Sequence, residues 1–128
     1  MKLLTREWME KAEDDFWVAS QIMRRKNRRA LDAECFHCQQ TVEKYFKARL
    51  IEAGVIFPKT HDLRVLLQLS LTVEPLWKSY ENAVEKLTEY AVNFRYPGES
   101  ATLGEAKLAL KYSKSLRAEV RCSLGLKK

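Results

Sequence analysis

Residues 35–54 read CFHCQQTVEKYFKARLIEAG, and the spacing of this stretch decides the fold. At 3.6 residues per turn, Cys35, Gln39, Val42, Phe46, Leu50 and Ala53 fall on one side of a helix. Most of that stripe is apolar, so it faces a core. Gln39 interrupts it, and a buried amide needs hydrogen-bond partners from other elements. The stretch therefore predicts a helical bundle with polar groups inside it.

The rest of the chain has the same helical character. With 4 glycines and 3 prolines in 128 residues, turns are few and the elements between them long. A first helix is expected over Thr5–Arg25, with Thr5 as its N-cap and Trp8, Ala12, Ala19, Ile22 and Met23 inward. Asp15 shares that inner face. A basic turn follows, and a second helix from about Arg29 to Ala53 is stopped by Gly54. A brief third helix is expected over His61–Ser70, capped by Thr60. The fourth starts at Pro75, with Leu76, Tyr80, Ala83, Leu87, Tyr90, Ala91 and Phe94 as its core stripe, and ends before Pro97-Gly98. The fifth spans Thr102–Leu124, with Leu108, Ala109, Tyr112, Leu116 and Val120 inward. Four long helices and one short one predict an all-α, antiparallel (up-down) four-helix bundle with one additional short helix, a single domain over residues 1–128.

Composition narrows the classes. No apolar run approaches the length of a membrane span, and MKLLTREWMEK is too charged for a secretory signal. Three cysteines without such a signal read as reduced thiols in a cytoplasm. The net charge of +6 permits an anionic partner without requiring one.

Two sets of basic residues are candidates for such a surface. Arg24, Arg25, Lys26, Arg28 and Arg29 crowd the first turn; Lys107, Lys111, Lys114, Arg117 and Arg121 occupy one arc of about 120° on the fifth helix. Each set suits either solvent or phosphates. Glu81, Glu85 and Glu89 form an acidic row on the fourth helix that could pair with such an arc in a second copy. Cys35, His37 and Cys38 have metal-like spacing. On a helix, however, His37 points about 160° away from Cys35 and no second ligand pair exists, so no metal site is expected. Helix capping accounts for His61 and Asp62. No phosphate-binding glycine loop or other cofactor motif is present. Arg95, followed by Tyr96, stands at the end of the fourth helix, where it either meets the last carbonyls or enters a shared polar site with Asp15 and Gln39.

Several segments, in order, resemble the HEPN family of small helical bundles: Ala12-x-x-Asp15-Phe16-x-x-Ala19, then Phe36-His37-Cys38-Gln39-Gln40 running into Glu43-Lys44-x-x-Lys47-Ala48, then Gly54, Thr60-His61-Asp62-Leu63 and Arg95-Tyr96-Pro97. The resemblance covers nearly the whole chain. It implies an antiparallel bundle that forms homo-oligomers, dimers first, and a nucleotide- or RNA-binding role. It also implies a minimal nucleotidyltransferase as partner in a toxin–antitoxin-like pair. The inward polar residues and the helix-end pair make Asp15, Gln39, Arg95 and Tyr96 the ligand-binding candidates. One branch of the family cleaves RNA without metal, using Arg, then four to six residues, then His. Here seven residues separate Arg29 from His37, and no His follows Arg95. That departure favours binding over cleavage; a metal-independent ribonuclease and a structural oligomerisation module are the alternatives.

Overall fold

A computed structural model of the chain describes residues 1–25 and 30–128. Among the described residues the protein is all-helical: α1 (Leu3–Arg24), α2 (Leu31–Glu52), α3 (Leu63–Ser70), α4 (Glu81–Asn93) and α5 (Leu103–Ser123), with a 3-10 segment, Pro75–Tyr80, running into α4.

The helix read first, α2, is the axis of the molecule. It packs most extensively against α1 and α5, and also against α3 and α4. Cys35, Val42, Phe46 and Leu50 are fully buried, and Gln39 nearly so. Ala53, the last residue of the expected stripe, is the C-cap and is exposed. Gly54 follows with φ +73, a left-handed geometry that a side chain would strain.

Hydrogen bonds between helices fix their relative directions. Thr5 Oγ1 donates to Glu52 Oε1 (2.9 Å), and Asp15 meets His37, so α1 and α2 run antiparallel. The Ala101 N–H donates to Asp32 near the start of α2, and Arg49 Nε donates to Ser123 Oγ near its end, so α2 and α5 run the same way. The end of α4 lies beside the first turns of α2.

Local chemistry explains the helix ends, with two corrections to the expected boundaries. Thr5 is not a cap: α1 begins two residues earlier, and Thr5 is buried within it. Glu52 meets the start of α1 instead, accepting from the Lys2 N–H at 3.0 Å. The cap of α3 is Asp62, which accepts from Arg64 N, while the hydroxyl of Thr60, two residues before it, accepts from Asp62 N. At α5, Thr102 is the N-cap and forms a reciprocal capping box with Glu105.

The largest correction concerns the entry to α4. Leu76, expected in the core, is 86% exposed, and Trp77 takes its place at 2%. A 3-10 turn advances about 120° per residue rather than about 100°, which shifts the phase of the stripe. Trp77 packs against Phe46 with ring centroids 5.9 Å apart.

Candidate functional site

The polar groups that α2 carries into the interior form two sets. Towards α1, Asp15 Oδ1 lies 2.8 Å from His37 Nδ1, and its other oxygen accepts from Lys44 Nζ. The Asp15 side chain is 12% exposed, so its charge is met by these two partners rather than by bulk water. Towards the loop before α3, Gln39 Nε2 donates to the His61 carbonyl (3.0 Å) and to Glu43 Oε1 (3.2 Å). Glu43 also accepts from Lys47 Nζ, which lies 5.1 Å from the centre of the Trp8 ring. The inward Gln39 thus finds its partners in one turn of its own helix and one loop.

Arg95 lies elsewhere. Among the described residues no hydrogen bond joins Asp15, Gln39 and Arg95 to one another. Arg95 instead borders a cleft of about 270 Å³ formed where the end of α4 meets the start of α2, lined by Asp32, Ala33, Phe36, Tyr90, Ala91 and Phe94. Its guanidinium is exposed and has no hydrogen-bond or ion-pair partner among the described residues. Tyr96, next in the chain, is also exposed. Phe94 stacks on Tyr90 at 5.7 Å, and Phe36 stands partly in solvent with its ring edge-on to His37. The cleft therefore combines aromatic walls with one uncommitted cation. Asp32, its acidic member, is engaged by the Ala101 N–H at 2.7 Å. Sequence reasoning missed Phe36 and Asp32. Their four-residue spacing was available as a signal, but only contact with α4 makes it meaningful.

The basic arc of α5 divides in two. Lys107, Lys111 and Lys114 are exposed, and the three border a shallow groove with Leu110 and Ser115. Arg117 and Arg121 turn towards α1 instead. Arg117 makes a two-point contact with Glu13 (2.8 and 2.6 Å) and lies over the Phe16 ring; Arg121 reaches Glu13 and the Tyr45 hydroxyl at 3.3 Å each. Burial raises the Glu13 carboxyl, but hydrogen bonds from Arg117 and Tyr45 and the two arginine charges outweigh it and hold it below the ordinary value. In the first basic turn Arg24 and Arg25 are exposed; Lys26, Arg28 and Arg29 lie outside the described residues. The acidic row of α4 is partly matched within the chain, Glu85 by Arg64 at 3.5 Å and Glu89 by Lys86 at 3.6 Å.

Burial pushes the Cys35 thiol up to about 12 and Cys38 upward as well, helped by the negative charge of Glu34. Both thiols are thus held protonated in the ordinary pH range. No cluster of three or more metal-ligating side chains occurs among the described residues, and none of their helices is long and apolar enough to cross a membrane.

Comparison with curated proteins and with solved structures finds no match. The HEPN domain family model matches residues 5–123, nearly the whole chain, from the buried Thr5 of α1 to the end of α5. The segments placed above, with Asp15, Gln39, the His61 loop and Arg95 in their order along five helices, all fall within that match, and the chain belongs to the HEPN domain family.

Proposed function

We propose that this protein is a nucleotide- or RNA-binding HEPN module acting in a cytoplasm, a homo-oligomer that partners a minimal nucleotidyltransferase in a toxin–antitoxin-like pair. Its frame is an antiparallel up-down bundle of α1, α2, α4 and α5, with α3 as the added short helix.

One observation supports the binding role most: Arg95, without a partner among the described residues, stands at the rim of an aromatic cleft. An aromatic wall offers a face on which a base stacks, and a free guanidinium offers a two-point contact to phosphate. At about 270 Å³ the cleft is just below the roughly 300–1,000 Å³ typical of drug-sized ligands, which suits a single base. The exposed Lys107, Lys111 and Lys114 supply a second phosphate-facing surface for a longer strand. Binding rather than cleavage follows from the absent Arg-to-His spacing.

The test is an equilibrium titration of the purified protein with labelled ribonucleotides and short single-stranded RNAs, with gel analysis of the RNA afterwards. Saturable binding with intact RNA is expected. Absence of binding across the panel, or metal-independent cleavage, contradicts the reading.

A further inference from the structure

Glu34, on the first turns of α2, is fully buried. Its Oε2 takes a contact of 3.7 Å from the Cys38 thiol, and its Oε1 has no hydrogen-bond partner among the described residues. The helix packed beside it, α5, carries another buried atom without a partner, Ser113 Oγ. A buried carboxylate with no strong donor pays the full cost of leaving water, whereas the neutral acid pays far less.

The titratable groups around this turn are Asp32, Cys35 and Cys38 on α2, Lys114 and Glu105 on α5, and Tyr90 on α4. The cations there among the described residues are Lys114 and, across the cleft, Arg95, and both are exposed. Burial pushes the Glu34 carboxyl up to about 7, against the opposing effects of the Cys38 hydrogen bond and the Lys114 charge. The acid therefore changes charge near neutral pH in a place built for the neutral form. That place is also the wall of the Arg95 cleft, because Asp32, Ala33 and Phe36 line it from the same turn of α2.

We infer that Glu34 is a proton-operated support of the cleft wall. Neutral, it lets the first turns of α2 pack closely on α5; ionised, it draws water into the seam and loosens residues 32–36. The folded pKa lies above the unfolded one, so this support is fully present below the ordinary carboxylate range and is lost as pH rises through about 7. The loosening does not depend on what the cleft binds. Only its effect on ligand capture rests on the function proposed above.

Hydrogen exchange of the ligand-free protein tests it, compared at about pH 6 and about pH 8.5 after correction for intrinsic rates, for wild type, Glu34→Gln and Glu34→Leu. Opening of residues 31–38 should rise by up to roughly tenfold with pH in wild type and stay flat in both variants. Residues 63–70, away from this seam, should not respond in any of the three. An equal rise in the variants, or none in wild type, overturns the inference. Nucleotide titrations at the same two pH values should weaken only for wild type. If no nucleotide binds at either pH, exchange alone decides the role of Glu34, and the binding reading fails separately.

Discussion

Both carboxyl oxygens of Glu43 lie 3.2 Å from Nδ1 of His61, joining a carboxylate that is 2% exposed to a side chain that is 82% exposed. The two ends of this contact are therefore unequal. Glu43 also neutralises Lys47, whose side chain is 8% exposed, and accepts from Gln39. Glu43→Ala strands a buried ammonium and should cost about 3–5 kcal/mol. His61→Ala removes only a water-facing partner and should cost less than about 1 kcal/mol. Urea unfolding midpoints measure both; equal losses would contradict the asymmetry.

The cluster of Glu13 with Arg117 and Arg121 makes a prediction about acid. Glu13 is held below its ordinary value of 4.5 in the folded protein, so its stabilisation is present above that value and is lost as pH falls through the folded one. Glu13→Gln should lower stability by about 1 kcal/mol at neutral pH, and the difference from wild type should shrink below about pH 4. Thermal unfolding across that range checks it. A difference that grows on acidification would have the wrong sign.

At the entry to α4, Trp77→Ala should cost about 3–5 kcal/mol, because it empties a buried site against Phe46. Leu76→Ala should change stability by less than about 0.5 kcal/mol. Chemical denaturation of the two variants separates the burial seen here from the stripe expected at an α-helical period.

That pair also shows where the sequence was legible. The period of residues 35–54 placed Cys35, Val42, Phe46 and Leu50 in the core, because a long α-helix keeps its phase. The period failed at Leu76, where six residues of 3-10 geometry break the phase. Arg95 and Tyr96 were visible as polar and aromatic residues at a helix end. Phe36 was not, since it lies off the inward stripe and gains meaning only from the end of α4. Nor could a helical wheel for α5 show that Arg117 and Arg121 turn inward, because their partner Glu13 is 104 residues away from the nearer of them.

If the exposed lysines of α5 follow an RNA strand, log affinity should fall with log salt by about 0.7 per phosphate contacted, so about 2 for Lys107, Lys111 and Lys114 together. Replacing all three by Gln should reduce the slope by that amount. An unaltered slope would show that the row faces only solvent.

The most direct measurement is the affinity of wild type and Arg95→Ala for the same labelled nucleotide, with melting temperatures recorded for both. Arg95 has no partner within the described chain, so its loss should leave the fold intact while weakening binding at least roughly tenfold. Phe36→Ala should weaken binding as well, by about 1–3 kcal/mol if a base stacks there. Unchanged affinity in a folded Arg95→Ala protein would contradict the cleft as the binding site.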